Sequence, residues 1–156
     1  MIARTSALPP ESPGGGWQLY AEANPFVRHI GPIWQSTLDG RHEYAFRVEQ
    51  VHSNLYGIVH GGMIAAFVDH TLGQTAFESF GRRPTVTVHS DVSFISPARL
   101  GDFVCCRVAV TRKTQSLIFL RGELSVDTRC VAKANGIWKV LGARSGETFQ
   151  AAGSNL

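Results

Sequence analysis

The feature that most constrains the fold is an apolar segment, residues 61–80, which predicts the one long helix of the chain. Its apolar side chains occupy more than one side of the helix, and a helix of this kind is normally buried against a sheet. The segments before and after it alternate apolar and polar residues with a period of two, which is the pattern of half-buried strands. The chain must therefore enclose this helix with its own strands.

Alternation predicts two strands before the helix, over 33–38 and 43–49, and four strands after it. One face of the second strand carries Tyr44, Phe46 and Val48. In the first strand after the helix, simple alternation puts on one face Val86, Val88, Val92 and Phe94, and on the other Thr85, Thr87, His89 and Asp91. Short turns between consecutive strands favour antiparallel pairing. The predicted fold class is α+β, with a curved antiparallel sheet of about five to six strands wrapped around the helix.

A length of 156 residues fits one domain. Its proline and glycine residues make 1–16 a predicted flexible leader, 17–142 is the predicted folded domain, and 143–156 is a predicted C-terminal tail. Within the domain, 17–29 is expected to hold one or two helical turns that are broken at Pro25.

Composition excludes several classes of protein. With 44% hydrophobic and 17% charged residues, the chain can bury a core and is not a disordered tail. The net charge is +3, but acids and bases are interspersed, so we expect no nucleic-acid partner. No apolar run approaches the ~18 residues of a membrane span. The odd set of cysteines indicates reduced thiols and a cytoplasmic protein, and its members are Cys105, Cys106 and Cys130.

Asp69 is the residue that fits a buried helix least. An unpaired buried carboxylate is costly, so this one must be paired, protonated or functional. At 100° per residue it shares a helical face with Gly62, Ala65, Ala66, Leu72, Gly73 and Ala76. A face of such small residues suits the close approach of a ligand or a second chain more than core packing. A hydrogen bond to a neighbouring backbone or hydroxyl group is the alternative role.

The sequence His60-Gly61-Gly62 stands directly before this helix. A glycine-rich helix start exposes free N–H groups, and these are the donors that an acyl-transfer site needs for a developing oxyanion. Asp69 follows Gly61 by eight residues, or about 12 Å along the helix axis at 1.5 Å per residue. The two groups can therefore share one site only if Asp69 comes from a second subunit.

The segment NLYGIVHGGMIAAFVDHTLG resembles the signature of hotdog-fold acyl-CoA thioesterases. The nearest branch is the phenylacetate-pathway type of the 4-hydroxybenzoyl-CoA thioesterase superfamily. The matching positions are Asn54, Gly57, His60, Gly61, Gly62 and Asp69. The later stretch TVTVHSDVSFISPARLGD resembles the strand and the S-P-A-x-x-G-D turn of the same family. The resemblance extends over roughly residues 25–140 and implies the hotdog fold.

The resemblance also implies roles in thioester hydrolysis. The N–H of Gly61 would polarise the thioester carbonyl, and Asp69 of the partner subunit would act as nucleophile or as general base on water. Asn54 would orient the water or the thioester, Thr87 would support the acid and the water, and His60 would hold the loop. No metal or organic cofactor is implied, because coenzyme A is part of the acyl-CoA substrate. The implied assembly is a homodimer, commonly paired into a tetramer.

Further candidates for substrate contacts are less specific. Gly62 belongs to the helix start, and cations at the ends of predicted elements are candidates for the phosphates of coenzyme A, namely Arg82, Arg83, Arg112 and Lys113. A solvated surface is the alternative role of each cation. An acyl pocket has four candidate aromatic residues, with core packing as their alternative role, and they are Phe67, Phe77, Phe80 and Phe94.

Other chemistries find less support in the sequence. No G-x-S-x-G elbow is present, and the cysteines have no positioned base. His89 and Asp91 share a strand face, but H-x-H and H-E-x-x-H spacings are absent, so no metal site is expected. Two alternatives stay open: a hotdog enoyl-CoA hydratase or dehydratase that uses His60 and Asp69, and a non-catalytic acyl-CoA-binding hotdog protein.

Overall fold

The predicted long helix is present in the computed structural model and lies against one antiparallel sheet. The structure describes residues 13–21, 24–37 and 42–142. The helices are α1 (Pro25–Ile30) and α2 (Gly61–Ser79). The strands are β1 (Gln18–Leu19), β2 (Ile33–Ser36), β3 (Glu43–Arg47), β4 (Thr85–Phe94), β5 (Phe103–Lys113), β6 (Leu117–Val126) and β7 (Arg129–Val140). Their order across the sheet is β1-β2-β3-β5-β6-β7-β4.

This arrangement confirms the α+β fold class. All neighbouring strands are antiparallel, as the short turns between them favour. The sheet has seven strands because the two-residue β1 adds one to the six that alternation indicated. None of the described helices is long and apolar enough to cross a membrane.

The core lies between α2 and the sheet face that α2 covers, here called the inner face. Phe67 is fully buried, and its ring meets that of Phe46 edge-on at 4.8 Å between centroids. The predicted apolar face of the second strand is buried, with Tyr44, Phe46 and Val48 each no more than 2% exposed. Because burial of one such side chain contributes about 1.5–3 kcal/mol, these contacts fix α2 on the sheet.

Caps in the sequence determine where α2 begins and ends. His60 is extended, and its ring Nδ1 accepts a hydrogen bond from the N–H of Gly62 at 2.8 Å. At the other end, Gly81 and Arg82 take positive φ angles of 67° and 64°. The N–H of Arg82 then donates to the carbonyl of Phe77 at 2.8 Å, which closes the last turn.

The expectation that Pro25 breaks a helix is wrong, because Pro25 begins one. A proline is favourable at the first helical position, where its missing N–H needs no partner. Asn24 caps the start of α1 by accepting a hydrogen bond from the N–H of Val27 at 2.9 Å. The preceding residues Gln18 and Leu19 form a strand instead of helical turns.

The two faces predicted for β4 are also wrong in part, because a β-bulge interrupts the alternation between Thr87 and His89. Thr87 stands opposite the buried Trp138, so Thr87 points to the inner face with the later residues Val92 and Phe94. Val88 has no partner on β7. The alternation resumes beyond it, with His89 on the outer face.

The predicted leader and tail lie mainly outside the described residues, which lack 1–12 and 143–156. At the start of the described part, the N–H of Trp17 donates to the carbonyl of Gly14 at 3.2 Å. The Trp17 ring packs edge-on against Phe103 of β5, with 5.3 Å between centroids. The chain therefore contacts the sheet from Trp17 onwards, while the boundaries of the folded domain stay a prediction.

Candidate active site

Asp69 lies near the middle of α2 and is paired with Thr87 of β4. The hydroxyl of Thr87 donates a hydrogen bond to Oδ1 of Asp69 at 2.8 Å. Both residues are exposed in the single chain, so the expectation that Asp69 is buried is wrong there. The sheet covers the other sides of α2, and the side that bears Asp69 stays open. The second carboxylate oxygen, Oδ2, accepts no hydrogen bond from the residues that the structure describes.

The small-residue face around Asp69 is divided by the sheet. Gly62 and Ala65 are exposed, and Ala66 and Gly73 are half-buried. The remaining two members of the predicted face, Leu72 and Ala76, are fully buried in the core. The exposed part therefore presents almost no side-chain bulk beside the carboxylate.

The start of α2 offers one free backbone donor. Within the described part of the chain, the N–H of Gly61 donates no hydrogen bond, whereas the N–H of Gly62 is taken by the His60 ring. A Cβ on Gly61 would lie 3.4 Å from the ring of Phe94, so this ring forms a wall beside the free N–H. The helix dipole adds to the attraction of this N–H for negative charge. The arrangement suits an oxyanion.

Asn54 forms the turn that leads into this helix start. Its Oδ1 accepts hydrogen bonds from the N–H groups of Tyr56 at 2.9 Å and Ile58 at 3.4 Å. The N–H of Gly57, which has a φ of 70°, donates to the carbonyl of Asn54 at 3.1 Å. The two donors of the Asn54 amide, on Nδ2, have no partner in the part of the chain that the structure describes.

His52 is a structural residue of the site that the sequence did not reveal. It is 3% exposed, and its Nδ1 accepts a hydrogen bond from the N–H of Glu49 at 3.0 Å. Its Nε2 therefore carries the proton and donates to the carbonyl of Ile30 at 2.9 Å. The carbonyl of His52 accepts from the N–H of His60 at 2.8 Å, so His52 fixes the residue that caps α2. The hydrogen bond that shows this role joins His52 to Ile30, 22 residues away in the sequence, so no local pattern predicts it.

The four candidate cations do not form one cluster. Three of them lie at the C-terminal end of α2, where Lys113 donates to the carbonyl of Ser79 and Arg82 stacks on the ring of Phe77 at 5.2 Å. Arg83 donates to the carbonyl of Leu141 at 3.4 Å. Cations are favourable at helix C-termini, which gives Lys113 a structural role. Arg112 lies on the outer face, opposite Phe119. A contact between any of the four cations and a phosphate of coenzyme A stays a prediction.

The aromatic candidates for an acyl pocket also separate. Phe67 is fully buried and Phe80 is 9% exposed, so both belong to the core. Phe77 is half-buried and is covered by Arg82. Phe94 is 61% exposed and borders the N–H of Gly61, so among the four it is the one beside the candidate site.

Neither the adjacent pair Cys105 and Cys106 nor a metal-binding cluster offers a catalytic site in the described ranges 13–21, 24–37 and 42–142. Burial raises the pKa of the Cys106 thiol to about 12 and that of Cys105 to about 11, which keeps both protonated. The His89 and Asp91 side chains are 3.6 Å apart on the outer face, away from Asp69. No group of three or more His, Cys, Asp or Glu side chains in these ranges could hold a metal ion.

Comparison with known proteins relates the same part of the chain to thioesterases. The family model for the thioesterase superfamily matches residues 56–131, which include α2 and the Asp69–Thr87 pair. The human protein acyl-coenzyme A thioesterase 13 is 29% identical over 105 residues, which cover 67% of this chain and 75% of that protein.

Two solved structures are similar in fold. A phenylacetic acid degradation-related protein from Ralstonia eutropha JMP134 superposes with a TM-score of 0.68 and 26% identity, covering 77% of this chain and 94% of that one. A Bacillus halodurans protein solved with CoA superposes with a TM-score of 0.70 and 22% identity, covering 80% of this chain and 83% of that one. The fold, the motif region and these similarities agree: the chain has the hotdog fold, and residues 56–131 are similar to the thioesterase superfamily.

Proposed function

We propose that this thioesterase hydrolyses acyl-CoA thioesters to a free acid and CoA, at a site formed by two copies of the chain. The observation that carries the proposal is the placement of two half-sites along β4. Asp69 and Thr87 lie near the beginning of this strand, and the free N–H of Gly61 lies beside Phe94 at its end. Each half lacks what the other supplies.

The free edge of β4 provides a way to join the halves. Among the described strands, β4 pairs only with β7, and apolar side chains are exposed along it, with Val88 at 58% and Phe94 at 61%. An exposed apolar edge strand is a template for pairing with another chain. If two copies of β4 pair antiparallel with Asp91 opposite Asp91 of the partner subunit, the unpaired Val88 of the bulge brings Thr87 opposite Phe94 of the partner subunit, both on the inner face. Adjacent strands are about 4.8 Å apart, so Asp69 would face Gly61 of the partner subunit.

The chemistry then follows from these groups. The N–H of Gly61 donates to the thioester oxygen, and the helix dipole stabilises the charge that develops there. As a general base, Asp69 takes a proton from water while the hydroxide oxygen bonds to the carbonyl carbon. Collapse of the tetrahedral intermediate breaks the C–S bond, and the departing thiolate receives the proton from Asp69. As a nucleophile, Asp69 would instead attack the carbonyl carbon and expel the CoA thiolate, which leaves a mixed anhydride on Asp69. Water then hydrolyses the anhydride to the free acid and the Asp69 carboxylate, and the proton released protonates the thiolate.

Two further side chains support either route. Thr87 holds Oδ1 of Asp69, which leaves Oδ2 directed for attack or proton transfer. The free Nδ2 donors of Asn54 can orient the water or the thioester, while its Oδ1 keeps the turn in place. Neither route requires a metal or an organic cofactor.

Relatives support the substrate class. Acyl-coenzyme A thioesterase 13 is named for this substrate, and the Bacillus halodurans protein of similar fold was solved with CoA. As parts of the same proposal, the dimer pairs into a dimer of dimers, and the protein resides in the cytoplasm, where the three cysteines stay reduced. The dimer is supported by the free edge of β4. The location is supported by the three thiols, which form no disulfide in the structure.

The test is release of free thiol from a panel of aryl-CoA and medium-chain acyl-CoA substrates. Asp69→Ala is expected to lower kcat at least about 10³-fold, because it removes the nucleophile or base. Glu123→Ala is the matched control, because it removes an exposed carboxylate of β6, away from the β4 edge, and it should retain wild-type kcat. Equal activity of Asp69→Ala and wild type would contradict the assigned mechanism.

The same assay separates the alternatives. A wild-type protein that binds acyl-CoA but releases no thiol from any member of the panel would indicate the non-catalytic binding protein. A change in enoyl-CoA absorbance without thiol release would indicate the hydratase or dehydratase. Size-exclusion chromatography with light scattering tests the assembly, because an active monomer would contradict a site shared between subunits.

A further inference from the structure

The turn between β4 and β5, residues 96–102, is held by one side chain from the start of β7. Nη1 of Arg129 donates to the hydroxyl of Ser96 at 3.0 Å and to the carbonyl of Pro97. Nη2 of Arg129 lies 3.4 Å from Oδ2 of Asp102 at the other end of the turn. The rigid guanidinium fork therefore ties the two ends of the turn together.

Inside the turn, Asp102 continues this network. Its Oδ2, which faces Arg129, also accepts a hydrogen bond from the N–H of Arg99 at 2.9 Å. The turn is thus closed by charge-assisted hydrogen bonds, which are roughly twice as strong as neutral ones. This explains the polar residues of the S-P-A-x-x-G-D sequence, while its alanine, Ala98, is 2% exposed.

The 96–102 turn also supports the loop that leads to α2. The carbonyl of Ala98 accepts a hydrogen bond from the N–H of Val59 at 2.9 Å, and Arg99 forms a β-bridge with Ile58. Val59 is two residues before Gly61. A displacement of the turn would therefore move the N–H that the proposed function assigns to the oxyanion.

We infer that Arg129 is a positioning residue for this N–H: it fixes the 96–102 turn, and the turn fixes the backbone that aims Gly61. Arg129 touches neither Gly61 nor Asp69, so its effect passes through Ala98 and Val59. The inference rests on the proposed function, because it assigns Arg129 a share in stabilising the transition state of thioester hydrolysis.

The test compares Arg129→Met with Arg129→Lys by thiol release, at a temperature well below the thermal midpoint of each variant. A misplacement of about 1 Å can cost about 10²-fold, so a smaller shift is expected to lower kcat of Arg129→Met about tenfold. KM should change less than about twofold, because the oxyanion contact strengthens only in the transition state. Arg129→Lys keeps a donor for the turn and should recover part of kcat.

Arg121→Met is the matched control. Arg121 is an exposed arginine of β6 that forms no side-chain hydrogen bond with the described residues, so its loss should leave kcat unchanged. The pH dependence of kcat should keep its midpoint in Arg129→Met, because the variant leaves the Asp69–Thr87 pair intact. Ser96→Ala removes one partner of Arg129 and should also lower kcat. In the Ser96→Ala variant, adding Arg129→Met should lower kcat by a smaller factor than it does in wild type.

Provided that Asp69→Ala inactivates the enzyme, two results would overturn this inference but not the proposed function. One is a folded Arg129→Met variant with wild-type kcat. The other is a folded variant in which only KM rises. A wild type that releases no thiol would overturn the proposed function, and the inference with it. A variant with a lower thermal midpoint but wild-type kcat would assign Arg129 to stability only.

Discussion

The two flanks of α2 differ although they are built from neighbouring residues. One series of residues spaced by four forms an open flank, and its polar groups face solvent or Thr87. The series is Gly61, Ala65, Asp69 and Gly73. The adjacent series, His70, Gln74 and Glu78, forms a closed flank. There Gln74 donates to Glu78 at 2.9 Å, and Glu78 meets His42 at 3.1 Å.

His70 shows what closure does to an ionisable group one residue from Asp69. Its ring contacts Tyr20 and Tyr44 edge-on, with 5.2 Å and 6.5 Å between centroids. Burial lowers the pKa of His70 to about 4, although the nearby charge of Asp69 acts in the opposite direction. The chain therefore covers one flank itself and leaves open the other, where the proposed function places a substrate and a second subunit.

After the loss of Asp69 itself, the largest expected effect concerns the free N–H of the open flank. Gly61→Pro removes this N–H at the first helical position, where proline is tolerated, and the extended His60 suits the residue before a proline. We expect kcat to fall about 10²–10³-fold, the usual cost of one oxyanion donor. Gly61→Ala is the control, because it adds a Cβ near Phe94 but keeps the N–H, and it should lose less than about tenfold. Equal losses in both would attribute the effect to steric crowding.

The closed flank predicts a pH effect on stability instead of activity. With a pKa of about 4 in the folded state and about 6.5 unfolded, His70 binds its proton more readily in the unfolded chain. Its contribution to the free energy of unfolding is therefore full above about pH 6.5 and lost as the pH falls towards 4, by at most about 3 kcal/mol.

Urea unfolding of wild type and His70→Phe at pH 7 and pH 4.5 measures this contribution. The variant should lose less stability between these pH values and be no less stable at pH 7, since Nε2 of His70 is buried without a partner in the described chain. The control is His29→Phe, which alters an exposed histidine of α1 and should leave the pH dependence of wild type unchanged. The same pH dependence in wild type and His70→Phe would contradict the assignment.

A smaller effect is expected from the hydroxyl that supports the acid. Thr87→Val keeps the shape of the side chain but removes the donor to Oδ1 of Asp69, so kcat should fall about tenfold, as for a hydrogen bond to a charged group. Thr87→Ser retains a hydroxyl and should stay within about threefold of wild type. If valine and serine behave alike, the open flank does not depend on this bond.

The sequence was sufficient for features that depend on local periodicity. The helix over 61–80 and the buried face of Tyr44, Phe46 and Val48 follow from repeats of 3.6 and 2 residues, and the structure confirms them. The Asp69–Thr87 contact agrees with the role that the family resemblance implied for Thr87.

Features set by distant parts of the chain were not predictable in the same way. Asp69 is exposed because the sheet, and not the helix pattern, decides which flank of α2 is covered. Arg129 meets the 96–102 turn across 32 and 33 residues, which no local pattern encodes. Pro25 illustrates a third kind of failure, since the same residue ends a helix or begins one depending on whether a cap such as Asn24 precedes it.

The bulge at Val88 makes the site depend on strand pairing as well as on residue identity. If Val88 instead paired with β7 in regular alternation, Thr87 would lie on the outer face with His89, and Asp69 would lose its partner without any change of either side chain. The unpaired residue therefore joins the acid to its hydroxyl, while the strand keeps its alternation on both sides of the bulge. A change of register in this one strand would remove the contact as completely as a substitution of Thr87.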